Sequence, residues 1–307
     1  MAVNFDVSGL SPYVQERRDL LIKNFALVGT ATRRRISIQT GVKGKANLHF
    51  LDLNAVLQDG SSCGFNAQDE LTLTERTIET AMIKVDGEIC PRTLVGTYAE
   101  ELVRINATEE TLPFEQFIID AIVAELNKKI EKLIWQGDTS SADPNLKWID
   151  GFLAQAAADA NVVPVTITGT PASVYADILA VYNAAPEEAL ERGLNIFVSP
   201  AEFRAFVQAL VTNNYYHYSG PQDSYPDEFI FPGTDAKVVR TPGLAGLAQE
   251  AILATFPRNL YYGCDVEGDS EDIDIWYSKD KRTVCYEALW NSGVAYAFPD
   301  QIVLGTV

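Results

Sequence analysis

The sequence predicts an α+β protein, on three observations. An amphipathic pattern of helical period spans 113–136, a β-rich and irregular region precedes it over 36–105, and an α/β stretch followed by a closing run of strands comes after it. Hydrophobic residues make up 47% of the 307 residues and charged residues 21%, which is apolar enough for a real core and argues against disorder.

The helix is the clearest element. Phe114, Phe117, Ile118, Ala121, Ile122, Leu126, Ile130, Leu133 and Ile134 recur at helical spacing. Pro113 is tolerated in a first turn and Gly137 is a natural stop. Glu115 lies near the start and Lys128, Lys129 and Lys132 lie toward the end, which suits the helix dipole. Glu125 and Lys129 form an i,i+4 pair in the favoured order. At 1.5 Å per residue the helix is roughly 36 Å long, a structural spine if not simply a long core helix.

Upstream, Leu71, Leu73 and the run Thr77 to Val85 carry strand-forming residues, and Asp59-Gly60 and Asp86-Gly87 are expected to make hairpin turns. Little here could bury much surface alone, so a long extended β-loop needing outside support is expected. Downstream, Pro171 to Ala185 reads as a helix with Val174, Ile178, Leu179 and Tyr182 on one face. Asn195-Ile196-Phe197-Val198 reads as a buried strand. Ser199-Pro200-Ala201-Glu202 then opens a helix: Ser199 caps, Pro200 takes the first position and Glu202 completes a capping box. Phe203, Phe206, Val207 and Leu210 form its apolar face. A loop rich in Tyr, Pro and Gly covers 215–235, and strands follow near 237–240 and 251–256. The C-terminal part reads as a β-meander. Ile273, Ile275 and Tyr277 alternate, Lys279-Asp280-Lys281 turns, Val284 to Trp290 is a strand, Asn291-Ser292-Gly293 turns, and Val294, Tyr296 and Phe298 alternate again.

Charge is unevenly spread. Residues 1–50 hold eight bases (Arg17, Arg18, Lys23, Arg33, Arg34, Arg35, Lys43 and Lys45) against Asp6, Glu16 and Asp19, a balance of +5. The whole chain carries −18, so the rest carries −23. So acidic a body is a poor sequence-independent binder of nucleic acid and is repelled by anionic membranes. No run of 18 apolar residues exists to span a bilayer, and the first residues lack the basic and apolar regions of a signal peptide. Cysteines at 63, 90, 264 and 285 have no metal or redox spacing, so a cytosolic chain with reduced thiols is expected. The basic arm either reaches a neighbouring copy's acidic surface, touches nucleic acid, or is simply solvated.

The inventory of reactive groups is thin. Gly60-Ser61-Ser62-Cys63-Gly64 formally fits the nucleophile elbow of hydrolases, but the residues after it are weak helix formers and the one downstream histidine is His217, inside the aromatic loop. A Gly/Ser turn is the better reading. His49 and His217 are the only histidines and cannot build a zinc site with scattered cysteines. Glu267-Gly268-Asp269-Ser270-Glu271-Asp272 does not follow the calcium-loop pattern and reads as a solvated turn. Gly243-Leu244-Ala245-Gly246 lacks the cations of a phosphate cradle. No catalytic residue, metal or cofactor is expected, and an enzyme is disfavoured.

The order of parts resembles a known family. The long helix ends Leu133-Ile134-Trp135-Gln136-Gly137-Asp138 and a polar linker leads to Trp148-Ile149-Asp150-Gly151-Phe152. Phe197-Val198-Ser199-Pro200 opens a helix, Thr241-Pro242-Gly243-Leu244 follows a strand, and Asn259-Leu260-Tyr261-Tyr262-Gly263-Cys264-Asp265 comes later. On these short motifs in this order, across about 40–307, the chain resembles the major capsid proteins of tailed bacteriophages, which have the Hong Kong 97-like fold. The resemblance implies an N-terminal arm at 1–43, an extended E-loop at 44–80, a peripheral domain at 81–160 holding the spine helix 113–136, an axial domain at 161–271, and a C-terminal β-meander at 272–307 returning to the body. It implies inter-subunit contacts by Arg17, Arg18, Arg33, Arg34, Arg35, Lys43 and Lys45. It implies a spine core of Phe117, Ile118, Ile122, Leu126, Ile130 and Leu133, and a capsomer-axis loop with Tyr215, Tyr216 and Tyr218.

The expected function is self-assembly into hexamers and pentamers of an icosahedral virion shell around double-stranded DNA. The shell would assemble in the host cytoplasm with scaffolding and portal proteins as partners. A long N-terminal scaffolding extension is lacking, so a separate scaffold is expected. An arm and a loop that cannot satisfy their own backbone groups fit this picture, because neighbouring copies can. An encapsulin-like compartment shell, a serine hydrolase using Ser62, and a soluble α/β binding protein remain as alternatives.

Overall fold

The computed structural model describes residues 32, 35–54, 57, 70–90, 114–214, 227–265, 272–278, 280–281 and 283–307. Among these, thirteen strands and five α-helices build two sheets and a separate ribbon. The spine helix, α1 (Phe114–Gln136), turns Ile122, Leu126, Ile130 and Leu133 inward, all buried, while Glu125, Lys128 and Lys129 face water; Glu125 forms the expected pair with Lys129 and a further one with Lys128. The side chains of Phe117 and Ile118 lie outside what is described.

A five-stranded sheet packs against α1. Its strands are β1 (Ser37–Gln39), β4 (Ala81–Ile89), β10 (Leu260–Cys264), β11 (Asp272–Ser278) and β12 (Thr283–Tyr296). β12 is the hub: its first half pairs antiparallel with β11 and β4 at once, over 283–289 and 284–292, and its last residues, 292–296, pair antiparallel with β10. Two expected turns are overturned here. Asn291-Ser292-Gly293 does not turn; it continues β12, because Ser292 faces Ala81 and Cys264 while Gly293 faces Gly263. Gly293 is required by close approach, since a Cβ there would sit 2.2 Å from the Glu79 carbonyl oxygen. Asp86-Gly87 likewise lies inside β4, opposite Glu287 and Tyr286, and a Cβ on Gly87 would fall 2.2 Å from the Tyr286 ring. In both places a glycine that serves packing imitates a turn signal.

The second sheet has six strands in the order β5 (Val163–Thr166), β13 (Ile302–Thr306), β9 (Ala251–Thr255), β6 (Asn195–Val198), β8 (Lys237–Arg240) and β7 (Glu228–Ile230). The C-terminal strand β13 thus sits inside it, between β5 and β9. Within the span 161–271, β10 joins the five-stranded sheet instead. Helices α3 (Val174–Ala184) and α5 (Pro200–Thr212) pack on the six-stranded sheet; α2 (Phe152–Ala158) and the short α4 (Glu187–Glu191) complete the set. The capping box of α5 is present: Ser199 Oγ accepts from the Glu202 amide at 3.2 Å and Glu202 accepts from the Ser199 amide at 3.0 Å. On α3 the buried face is Val174, Ile178 and Val181. Leu179 is on the open side, as is Val207 on α5, so both are corrections to the expected apolar faces.

Candidate functional site

The end of α1 is where the chain converges. Trp135 is fully buried, with ring centroids 5.3 Å from Phe152 and 4.9 Å from Phe197, and its indole N–H donates to Thr32 Oγ1 at 3.0 Å. Thr32 in turn donates to buried Glu131, one helical turn back. The Gly137 and Gly151 backbones touch: the Gly151 amide donates to the Gly137 carbonyl at 2.9 Å, and a Cβ on Gly151 would meet the Ile134 carbonyl oxygen at 2.7 Å. Gly243 lies against the Trp135 ring, and Gln136 ties its carbonyl down at 2.6 Å. The motifs Gln136-Gly137-Asp138, Asp150-Gly151-Phe152 and Thr241-Pro242-Gly243 therefore meet in one knot although they span more than a hundred residues.

The arm enters through the same region. Beyond Thr32, Arg35 is buried and its guanidinium binds Glu228 and, at 3.6 Å, Asp227. Its charge is engaged inside its own chain, against two nearly buried carboxylates, one of which, Glu228, also has Lys237 at 3.5 Å. Lys43 pairs with Asp265 at 3.7 Å and Lys45 with Glu79, again within the chain, though both lysines remain largely exposed. β1 then pairs in parallel with β10. Arg17, Arg18, Arg33 and Arg34 lie outside the described residues, as do Tyr215, Tyr216 and Tyr218, Ser62 with its Gly/Ser run, and all of the acidic stretch 267–272 except Asp272.

The third feature is a two-stranded antiparallel ribbon of β2 (Lys45–Asn54) and β3 (Glu70–Glu79), in register from Lys45 opposite Glu79 to Asn54 opposite Glu70. No other described strand pairs with either one, so both outer edges offer backbone groups to a further strand. His49 stands on the exposed surface with Nδ1 3.1 Å from a Glu75 carboxylate oxygen. The ribbon is pinned to the body. Arg76 donates to Asp159 at 2.8 Å and stacks 5.2 Å over the Tyr296 ring, whose hydroxyl donates to the same carboxylate at 3.0 Å. Burial pushes Asp159 upward, but hydrogen bonds from the Asn161 backbone, Arg76 and Tyr296 outweigh it and hold its carboxyl below the usual range. Phe50 packs on Tyr261 and Phe298 at 6.1 and 5.3 Å. Sequence reasoning missed Arg76, Asp159 and Phe50, because no motif links residues so far apart.

Among the described residues no group of three or more His, Cys, Asp or Glu side chains is arranged to hold a metal, and no helix is long and apolar enough to cross a membrane.

This architecture is the fold of tailed-phage major capsid proteins, the Hong Kong 97-like fold. The similarity to solved structures extends over the chain. A satellite phage P4 procapsid structure, including the size determination (Sid) protein, matches at a TM-score of 0.59 with 16% identity, covering 100% of this chain and 92% of that one. The capsid of an empty GTA particle matches at 0.57 and 12% identity, covering 90% and 89%. A virus-like particle from Pyrococcus furiosus matches at 0.50 and 10% identity, covering 95% and 98%. At such identities the likeness establishes the fold. No family model matches the chain. A component of the glutamyl-tRNA(Gln) amidotransferase of Prochlorococcus marinus (strain NATL2A) is 27% identical over 119 residues, 39% of this chain; the match spans about a quarter of that protein's length.

Proposed function

We propose that this chain is the major capsid protein of a tailed phage, assembling into hexamers and pentamers that close an icosahedral shell around double-stranded DNA. The observation that carries this reading is the shared fold, which covers 100% and 90% of this chain and 92% and 89% of the matched capsid structures. The open edges of β2 and β3 support it, since a second copy can pair with backbone groups that one copy leaves unused. The charge supports it too: an acidic inner face would not retain DNA that must slide in and later leave. In this reading the chain is structural and turns over no substrate. Arg17, Arg18, Arg33 and Arg34 reach acidic surface on a neighbour, Tyr215, Tyr216 and Tyr218 line the capsomer axis, and scaffolding and portal proteins assist assembly in the host cytoplasm.

A compartment shell of the encapsulin kind is the second reading, favoured by the likeness to the Pyrococcus furiosus virus-like particle. Particles recovered from producing cells separate the two. Nuclease-protected DNA inside them supports the phage shell, and a folded enzyme packed inside supports the compartment. A chain that sediments as a monomer at every concentration and salt tested overturns both.

A further inference from the structure

A cavity of about 350 Å³ opens where the arm root meets the six-stranded sheet, and its lining is unlike the rest of this acidic body. Four cations reach it: Arg35, Arg192, Lys237 and Arg258. The carboxylates lining it are Glu228 and Asp235. The inner wall is internally neutralised, since Arg35 is held by Asp227 and Glu228 and Lys237 lies 3.5 Å from Glu228. The mouth is different. Arg192 and Arg258 are both exposed, and among the described residues neither has a carboxylate within ion-pair distance. Each is nonetheless placed rather than trailing in solvent. The Arg192 guanidinium carbon sits over two rings, 4.9 Å from the Phe256 centroid and 5.8 Å from that of Phe298. Arg258 sits in the left-handed region at φ 71°, uncommon for a residue with a side chain, and its carbonyl accepts from Ser37 of the arm at 3.5 Å.

We propose that this cavity binds a small multivalent oxyanion of the pyrophosphate class. Paired guanidinium forks match the geometry of phosphate oxygens better than ammonium groups do, and the cavity is of a size that small ligands occupy. A long polyanion is disfavoured because the chain outside its first fifty residues carries a net −23 and repels it overall. Because the arm supplies Arg35 to the lining, an occupied site also ties the arm root to the sheet.

The test is isothermal titration of the full chain with sodium pyrophosphate, beside Arg258→Gln and Arg192→Gln, with a short DNA duplex as competitor. The expected result is saturable binding at one site per chain, weakened about tenfold or more in each variant, since each loses a charge-assisted hydrogen bond, and no competition by the duplex. Arg192→Gln also loses its ring contacts, so Arg258→Gln, checked for an unchanged melting curve, decides. Absence of binding to the wild-type chain, equal affinity in Arg258→Gln, or displacement by the duplex overturns the proposal. None of these outcomes depends on whether the chain forms shells.

Discussion

Two buried charged residues make the subunit's stability depend on its own side chains before any neighbour arrives. Arg35 neutralises Asp227 and Glu228, all three nearly buried. Arg35→Ala removes the guanidinium that both carboxylates share, leaving Lys237 at 3.5 Å from Glu228, and is expected to cost about 3 kcal/mol, read as a lower denaturation midpoint of the isolated subunit. An unchanged midpoint would mean that this contact is dispensable. Glu202 behaves in the opposite sense. Burial, followed by repulsion from Glu250 and Asp177, raises its carboxyl to about 7 against the hydrogen bonds from Ser199 that favour its charge. The folded state therefore holds the proton more tightly than the unfolded chain. The penalty is fully present above about pH 7, relaxes as the pH falls toward 4.5, and amounts to at most about 3 kcal/mol. Glu202→Gln keeps the cap and is expected to melt higher than wild type at pH 8, with the difference shrinking below pH 7 and vanishing only below about pH 4.5. A difference that is constant with pH would contradict this.

At the scale of elements, the parts visible in the sequence are those whose signal is local. α1 and α5 are legible because periodicity, a capping box and a flanking glycine or proline all act within a few residues. The two misread turns are at glycines. Gly87 and Gly293 carry the composition of turns, but each exists because another chain segment presses on it: the Tyr286 ring in one case, the Glu79 backbone in the other. Gly293→Ala is accordingly expected to cost about 1–3 kcal/mol as β3 and β12 are forced apart, measurable by denaturant titration. A neutral effect would show that this junction has room. The knot around Trp135 was legible as motifs but not as a site, because nothing in Gln136-Gly137 or Pro242-Gly243 announces that they touch. The ribbon's anchor of Arg76, Asp159 and Tyr296 left no sequence signal, because a salt bridge across 83 residues has no spacing rule.

For the whole molecule, the charge asymmetry survives in altered form. Arg35, Lys43 and Lys45 each pair with a carboxylate of their own chain, so a test of the arm between subunits is cleaner at other positions. Replacing Arg35 would damage the fold and confound any assembly assay. Arg33→Glu with Arg34→Glu is the cleaner change. It is expected to weaken assembly most at low salt, where attraction between an arm and an acidic body is least screened, and to leave the melting of the isolated chain unchanged. Equal particle yield at low salt would remove the arm from the assembly energetics.

The central claim is that the fold is completed by copies of itself. Electron microscopy of the concentrated purified protein tests it most directly. The account predicts closed shells with five-fold and six-fold capsomers, in which each β2–β3 ribbon lies against an adjacent copy of the chain. Fields of separate single molecules, with the ribbon edges covered by their own chain, would contradict it.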